Sequence, residues 1–207
     1  MINMLIKYIL QILSFGSFIG RIRKGTNTIC LTFDDGPNPE YTRKVLDVLK
    51  ENNIKAVFFL IGEKVEKYPE IARRIINEGH VIGGHTYSHK EITSMTRKEA
   101  ASDLKHTRDI FNQYLEHDSI LFRPPRGRMN IKNTLLIMFK GYKIIHWSIT
   151  YSDYLKDGTD KLKQRISGRL PKSGDIILLH DNNPYTLESL PYLIDICNKN
   201  NLRFLTL

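Results

Sequence analysis

Two histidines and a pair of aspartates stand out because their types and spacing suit metal chemistry. His85 and His89 lie four residues apart, so a helical turn between them would point both imidazoles the same way. Asp34 and Asp35 are adjacent and point in different directions, so one can bind a metal ion while the other handles a proton. A metal ion bound by two imidazoles and one carboxylate keeps open coordination positions, which is typical of a catalytic rather than a structural metal site.

The elements that must position these residues follow a regular pattern along the chain. Short apolar, β-rich runs alternate with longer runs of helical periodicity. The predicted strands are Thr28–Phe33, Ala56–Ile61, His80–Gly83, Ile120–Phe122, Tyr142–Ile149, Asp175–His180 and Arg203–Leu207. The predicted helices are Pro39–Glu51, Tyr68–Glu78, Thr96–Leu115, Ile131–Lys140, Asp160–Leu170 and Leu187–Asn200. This alternation predicts parallel strands joined by right-handed crossovers, in a barrel-like α/β fold.

The candidate residues occupy the positions that such a fold reserves for chemistry. In parallel barrels, catalytic residues lie on loops at the carboxyl ends of the strands. Polar groups follow five of the predicted strands: Asp34-Asp35-Gly36-Pro37, His85 to His89, Arg123 to Gly127, Asp153, and His180-Asp181. We therefore expect these side chains to meet at one mouth of the barrel.

Composition and charge limit the class of protein. The chain has 207 residues, of which 41% are hydrophobic, and this favours one folded domain with a sizeable core. We interpret Cys30 and Cys197, both in apolar runs, as buried reduced thiols. The formal net charge of +9 favours anionic partners such as a phospholipid surface or a phosphorylated substrate. Because the basic residues are scattered, we expect no nucleic-acid partner.

The amino terminus forms a separate segment, residues 1–25, ahead of the predicted domain 26–207. It is mostly apolar to Gly20, with a narrow polar stripe at helical spacing and a basic cluster after it. A secretory signal peptide and a membrane-spanning helix are two alternatives for this segment. A helix that lies in the membrane interface, or one that packs on the domain, agrees better with the polar stripe. We expect residues 1–24 to meet a membrane surface, with the cytoplasmic face favoured over secretion because the basic cluster comes last.

The ordered motifs resemble those of the polysaccharide deacetylases, the NodB-homology carbohydrate esterases. The resemblance covers nearly everything from Thr28 onward. Its pieces are Thr32-Phe33-Asp34-Asp35-Gly36-Pro37, His85-Thr86-Tyr87-Ser88-His89, Arg123-Pro124-Pro125, Asp153-Tyr154 and Leu178-Leu179-His180. The resemblance implies a distorted seven-stranded (β/α) barrel of the polysaccharide deacetylase type.

The resemblance also implies a role for each matching residue. Asp34 is implied as the general base, with Arg123 holding it ionised. His180 is implied as the general acid, with Asp153 keeping it protonated. The implied cofactor is one divalent metal ion, usually Zn²⁺, with Co²⁺ or another ion as alternatives. Its implied ligands are Asp35, His85 and His89.

The implied substrate pocket differs from the family pattern in three positions. Leu178 is implied to line the pocket for the acetyl methyl, and Pro125, in the motif after the fourth strand, is a further implied substrate contact. Arg126 replaces a usual Tyr and places a cation near the mouth, where it could meet a phosphate or point outward. Tyr154 replaces a usual Trp, and Thr150 replaces a usual Asp. These changes bear on the substrate more than on the reaction.

The function predicted from these residues is hydrolysis of the N-acetyl group of an amino sugar. Two substrate classes are open: a glycan such as peptidoglycan or chitin oligomers, and a lipid-linked amino sugar. The basic charge, the amino-terminal segment and Arg126 favour the lipid-linked class. The alternatives are a deformylase or amidase acting on a non-sugar acyl amide, and a catalytically inactive relative that binds glycans.

Overall fold

The computed structural model describes residues 18–22, 27–115 and 120–207 of the chain. Within them, nine strands form one curled sheet in which every paired neighbour is parallel. The strands are β1 Phe18–Ile19, β2 Thr28–Asp34, β3 Val57–Leu60, β4 Val81–Gly84, β5 Ile120–Phe122, β6 Tyr142–Ile145, β7 Ile149–Thr150, β8 Ile176–His180 and β9 Arg203–Phe204. Their order is β1-β6-β5-β4-β3-β2-β8-β7, with β9 added to β2. The sheet is an incompletely closed barrel, which confirms the predicted (β/α) class.

Helices connect most of these strands and cover the outside of the sheet. They are α1 Tyr41–Glu51, α2 Gly62–Lys67, α3 Pro69–Asn77, α4 Arg97–Phe111, α5 Ile131–Phe139, α6 Thr159–Gly168 and α7 Pro184–Lys199. The predicted capping box is present at the start of α4, where the Thr96 hydroxyl accepts from the Glu99 N–H and the Glu99 carboxylate accepts from the Thr96 N–H. No described helix has the length and apolar character needed to cross a membrane.

The alternation of side chains along β2 separates the outer core from the barrel interior. All seven residues of β2 are buried, as expected for a parallel strand covered on both faces. Ile29, Leu31 and Phe33 belong to the large core that includes the helices. Cys30 packs instead with Val57, Phe59, Ile145 and Ile176 in a second cluster inside the barrel. Because side chains alternate along a strand, the carboxylate of Asp34 also points into this interior.

The prediction of one strand over Tyr142–Ile149 is wrong, because the chain changes partners in the middle. The N–H of His146 still donates to Ile19 in β1 at 2.7 Å. Two residues later the N–H of Ser148 donates to Ile176 in β8 at 3.1 Å. The segment between β6 and β7 therefore crosses from one edge of the curled sheet to the other. It cannot keep hydrogen bonds to a single neighbouring strand along its whole length.

Two elements were missed by the sequence patterns. Helix α2 has six residues, of which Gly62 and Val65 are buried, so it is too short to display a helical period. Strand β1 lies inside the segment 1–25 that was expected to be separate from the domain. Ile22 donates to Gly174 at 3.0 Å, and Arg21 forms an ion pair with Asp175, so residues 18–22 are part of the folded domain.

The rest of the amino-terminal prediction, residues 1–17 and 23–25, lies outside the described residues. The cysteine prediction is confirmed, since Cys30 and Cys197 are both free and buried.

Close packing at Gly83 generates a stability prediction. A Cβ at Gly83 would lie 2.8 Å from the carbonyl oxygen of Leu121 in β5 and 2.8 Å from the ring of Phe59. We expect Gly83→Ala to lower the free energy of unfolding by about 1–3 kcal/mol, because the neighbouring strand cannot move aside freely. Gly168→Ala is the matched control, since a Cβ there meets nothing within 4 Å. Chemical denaturation of both variants measures the difference, and equal effects would contradict the packing argument.

Candidate active site

The end of β2 places two adjacent carboxylates in different environments. Asp34 is the last residue of the strand, and 3% of it is exposed. Asp35 adopts a left-handed conformation with φ 74°, which turns the chain out of the strand. The side chain of Asp35 consequently lies at the mouth of the barrel, whereas that of Asp34 remains in the interior. The adjacent carboxylates can therefore perform separate tasks.

Arg123 fills the interior beside Asp34 and is itself completely buried. Its Nη1 donates to Asp34 Oδ1 at 2.7 Å and to Thr32 Oγ1 at 2.7 Å. Its Nε and Nη2 donate to the carbonyl oxygens of Ile145 and His146 at 3.2 and 3.3 Å. The guanidinium is thus paired with one carboxylate and supported by neutral acceptors, which is what a buried ion pair requires. Asp34 Oδ1 is fixed by this contact.

The two imidazoles converge on Asp35. His85 Nδ1 donates to the carbonyl oxygen of Arg123 at 2.6 Å, which leaves Nε2 as the free nitrogen. This Nε2 lies 3.6 Å from Asp35 Oδ1, and His89 Nε2 lies 3.0 Å from the same oxygen. The ligand atoms of Asp35, His85 and His89 all fall within 4.8 Å of one another.

The ionisation and the hydrogen bonding of Asp35 are suited to binding a divalent cation. Its Oδ1 is buried and accepts no well-aligned hydrogen bond, while its Oδ2 accepts from Asn182 Nδ2 at 3.1 Å. Burial alone would raise the pKa of Asp35, but the imidazoles of His89, His85 and His180 hold it well below its usual range. Burial also lowers the pKa of His85, which favours the neutral ring that binds metals. An ionised oxygen without a donor beside two imidazole nitrogens is suited to zinc or a similar ion.

The segment from His85 to His89 reaches this geometry without the helical turn that the spacing suggested. Thr86 and His89 adopt left-handed conformations with φ 61° and 59°. The N–H of Tyr87 donates to both carboxylate oxygens of Asp103, at 3.1 and 3.2 Å. The loop is therefore held by a side chain from α4. As a result, the two imidazole centroids lie 5.1 Å apart.

His180 and Asp153 form the second charged pair of the site. Asp153 is 1% exposed, and its Oδ1 lies 2.9 Å from His180 Nδ1. Its Oδ2 accepts from the His180 N–H at 2.7 Å and from Thr186 Oγ1 at 2.8 Å. Burial opposes protonation of His180, but the hydrogen bond and charge of Asp153, aided by Asp34 and Asp35, raise the pKa of His180 to about 9. His180 is therefore a cation near neutral pH.

The register of the sheet brings the two pairs together. Asp34 in β2 is the direct neighbour of His180 in β8, and Thr32 is the neighbour of Leu178. The carboxylate paired with Arg123 thus lies beside the imidazole that Asp153 keeps protonated. Two neighbouring titratable groups with different charged partners are the usual arrangement of a base and an acid.

The remaining predicted pocket residues differ in their exposure. Leu178 is 5% exposed, and Pro125 is also buried. Tyr154 is 56% exposed, with its ring edge-on to that of His180 at 6.1 Å between centroids. The side chain of Arg126 is 67% exposed, and its Nη1 donates to Glu91 at 2.8 Å. Glu91 also accepts from Arg128 Nη1 at 3.0 Å, so one carboxylate is shared by two exposed guanidiniums, and the contact of Arg126 with a substrate phosphate stays a prediction.

Sequence reasoning missed several residues that support the site. Asn182 orients Asp35, Asp103 holds the histidine loop, and Lys64 Nζ donates to the Asp35 carbonyl oxygen at 2.7 Å. Asp181 lies beneath Gly36, accepts from Thr42 at 2.6 Å, and has its pKa raised by burial to about 7. Asp181 and Asn182 directly follow His180 in the sequence, and this adjacency was the signal that could have identified their supporting role. Asp103 lies in the middle of a helix, where no motif marks it.

A parallel barrel with two neighbouring charged pairs and a cluster of potential metal ligands at the carboxyl ends of its strands is typical of metal-assisted hydrolases. The family model described as polysaccharide deacetylase matches residues 21–145. The chain therefore belongs to the polysaccharide deacetylase family, as the resemblance indicated. Membership places it among the hydrolases that deacetylate amino sugars, a family that depends on a metal ion.

Individual relatives agree with this assignment. A peptidoglycan-N-acetylglucosamine deacetylase of Bacillus cereus is 35% identical over 183 residues, which cover 86% of this chain and 66% of that protein. A chitooligosaccharide deacetylase of Rhizobium leguminosarum bv. trifolii is 32% identical over 179 residues, covering 86% and 80%. The chain thus spans about two thirds of the first relative's length.

The fold agrees as well. The crystal structure of the Bc1960 peptidoglycan N-acetylglucosamine deacetylase, in complex with 4-naphthalen-1-yl-N-oxidanyl-benzamide, superposes with a TM-score of 0.87 at 31% identity. The match covers 95% of this chain and 94% of that one. Almost all of this chain therefore has a counterpart in a solved deacetylase structure.

The cluster of Asp35, His85 and His89 generates a prediction about metal binding. We expect Zn²⁺ or Co²⁺ to raise the melting temperature, because a ligand that binds only the folded state at 100 times its Kd adds about 2.7 kcal/mol. His89→Ala is expected to remove most of this stabilisation, and calorimetric titration gives the affinity. His106→Ala is the control histidine outside the cluster. A melting temperature that rises equally in both variants would place the metal elsewhere.

The pair of His180 and Asp153 generates a prediction about pH dependence. His180 must be protonated to act as an acid, so activity should be present below its pKa of about 9 and lost as the pH rises through that value. In Asp153→Asn the main cause of the raised pKa is removed, and the alkaline limb of kcat/KM should move to lower pH. Asp195→Asn, whose carboxylate pairs with Lys199 on the exposed side of α7, should leave the limb in place. An alkaline limb that does not move in Asp153→Asn would exclude His180 as its source.

Proposed function

We propose that this protein removes the N-acetyl group from N-acetylglucosamine units of a glycan, with Asp34 as base and His180 as acid. The observation that carries the proposal is that Asp34 and His180 end neighbouring strands, and that each has a partner of opposite charge. Asp34 pairs with Arg123, and His180 pairs with Asp153. The metal-ligating cluster lies beside both pairs. The names of the relatives support peptidoglycan or chitin oligomers as the substrate class.

Asp35, His85 and His89 are the proposed ligands of one divalent cation, with Zn²⁺ as the proposed ion and Co²⁺ as the alternative. When bound, this cation supplies polarisation of the acyl oxygen and acidification of water. The neutral ring of His85, oriented by the Arg123 carbonyl, and the ionised Asp35, oriented by Asn182, are prepared for this role before any ion arrives.

Asp34 is proposed to accept the proton of the attacking water through Oδ2. Its other oxygen is occupied by Arg123, so only Oδ2 remains available toward the mouth. Oδ2 lies 3.9 Å from His85 Nε2, which places the base next to the ligand cluster. Arg123 thus fixes the carboxylate through Oδ1 and leaves Oδ2 beside the ligand cluster.

His180 is proposed to donate a proton from Nε2 to the nitrogen of the departing amine. Its Nδ1 faces Asp153, so the proton on Nε2 is the one that can be transferred. Without this proton the amine would have to leave as an anion, which is unfavourable. A positioned acid or base typically contributes about 100- to 10,000-fold to the rate. Leu178, Pro125 and Tyr154 are the proposed contacts for the acetyl group and the sugar.

The ion pair of Arg126 with Glu91 bears on the choice between the two substrate classes. Part of the case for a lipid-linked, phosphate-bearing amino sugar depended on Arg126 as an available cation, and Glu91 engages it. We therefore place a glycan first. Membrane association through residues 1–24 remains part of the proposal.

A topology reporter fused at Leu207 tests which face the enzyme occupies. A signal outside the cytoplasm would support a polymer, whereas a cytoplasmic signal would support the lipid-linked class.

The proposed base generates a prediction about activity. Asp34→Asn is expected to lower kcat/KM for acetate release from acetylated chitin oligomers and peptidoglycan by about 100- to 10,000-fold. Because Asp34 is outside the ligand cluster, zinc affinity should remain within a few-fold of that of the unaltered protein. Asp195→Asn, a change on the exposed side of α7, should affect neither quantity.

The substrate panel for this experiment includes a formylated amine and a lipid-linked amino sugar, with formate and acetate both measured. Equal rates for Asp34→Asn and the unaltered protein would remove Asp34 as the base. Release of formate alone would support the deformylase alternative. A zinc-loaded protein that releases neither acid from any substrate would be an inactive relative.

A further inference from the structure

Helix α5 exposes an apolar stripe that the deacetylase site does not use. Ile131, Leu135 and Phe139 are 77%, 60% and 89% exposed. They are spaced four residues apart, so they follow one another along the solvent side of the helix. On the opposite side, Thr134 and Ile137 are buried against the domain. We refer to Ile131, Leu135 and Phe139 as the α5 stripe.

Such a stripe is unusual for a helix at a protein surface. A surface helix normally presents polar residues to water and one apolar side to the core. Here the outward side carries three large apolar side chains within nine residues. Contiguous exposed apolar residues on one element commonly mark a contact with a protein or a membrane.

The charges around the stripe identify the kind of partner. The sequence between Asp118 and Asp153 contains no Asp or Glu. In this region Lys132 and Lys140, which adjoin Ile131 and Phe139 on the helix, are exposed, and among the described residues neither forms an ion pair. Apolar side chains flanked by lysines, in a stretch of sequence without Asp or Glu, complement a surface that is apolar inside and negatively charged outside.

The position of the stripe points to the same partner. Helix α5 begins four residues after the Pro125–Gly127 turn at the mouth of the barrel and ends at Phe139, just before β6. Strand β6 pairs with β1, where Phe18 is the neighbour of Ile144. The mostly apolar residues 1–17 directly precede β1 in the sequence. Helix α5 is thus followed in the chain by the strand that pairs with β1.

We propose that the α5 stripe docks on the surface of an anionic lipid bilayer, with Lys132 and Lys140 contacting the headgroups. This inference concerns where the enzyme works rather than what it hydrolyses, so it stands independently of the deacetylase reaction. A second copy of the chain is a poorer occupant. Across a twofold axis the same lysines would face their own copies, and a stable dimer buries about 800 Å² from each partner, far more than three side chains supply.

The test measures binding of the full-length chain to vesicles by cosedimentation and by energy transfer to a labelled lipid. Vesicles of phosphatidylcholine with phosphatidylglycerol are compared with vesicles of phosphatidylcholine alone. The double variant Leu135→Gln with Phe139→Gln is expected to lower the partition coefficient at least about tenfold, since each lost apolar contact weakens insertion. Leu205→Gln is the matched control, because Leu205 is 49% exposed on another part of the molecule.

The lysines are tested separately from the stripe. Changing Lys132 or Lys140 to Gln should each lower binding to anionic vesicles about fivefold, as expected for one basic residue near a charged membrane. The same changes should alter binding to neutral vesicles little. All of these variants should keep the melting temperature and the deacetylation rate on soluble oligosaccharides, because none of the altered residues belongs to the catalytic site.

Three results would overturn the proposal. The first is a stripe variant that binds anionic vesicles as well as the unaltered chain, which would assign membrane binding to residues 1–17 alone. The second is an equal loss in the Leu205 control. The third is an unaltered chain that binds no vesicle. This result includes the case in which the unaltered chain forms a dimer and the stripe variant does not.

Discussion

The ion pair between Arg123 and Asp34 is the contact on which both halves of the site depend. Both side chains lie inside the barrel, where an isolated charge is strongly destabilising. The side chain of Arg123 holds the proposed base, while its carbonyl oxygen orients His85 in the ligand cluster. Removing one partner of such a pair costs about 3–5 kcal/mol, because the other charge is left buried and unpaired. Folding and chemistry therefore share one residue.

The parallel sheet converts this contact into a pair of groups with opposite charge. Strand β2 ends at Asp34 and β8 ends at His180, and the register makes these residues neighbours. Arg123 stabilises the anion from inside the barrel, and Asp153 stabilises the cation from the segment after β7. Since each charge has its own partner, the carboxylate and the imidazolium can face each other without exchanging their proton permanently.

Backbone conformation completes the ligand cluster. Asp35, Thr86 and His89 all have positive φ, a conformation that is uncommon outside glycine. These residues are held by hydrogen bonds from other elements, including Asn182 to Asp35 and Tyr87 to Asp103. The surrounding fold thus stabilises local conformations that a short peptide would rarely adopt, and the ligand atoms are close together as a result.

Local patterns were enough to predict the alternation of strands and helices, the family, and the positions of five site residues at or just after strand ends: Asp34, Asp35, His85, Arg123 and His180. These features depend on local periodicity and on short motifs, which can be recognised along the chain. Other features became visible only in the folded chain: the change of partners at His146–Ser148, the pairing of Glu91 with Arg126, the support of the ligands by Asp103 and Asn182, and the exposed stripe of α5. Each of these depends on residues distant in sequence meeting, or failing to meet, in the folded chain, and no local pattern records that.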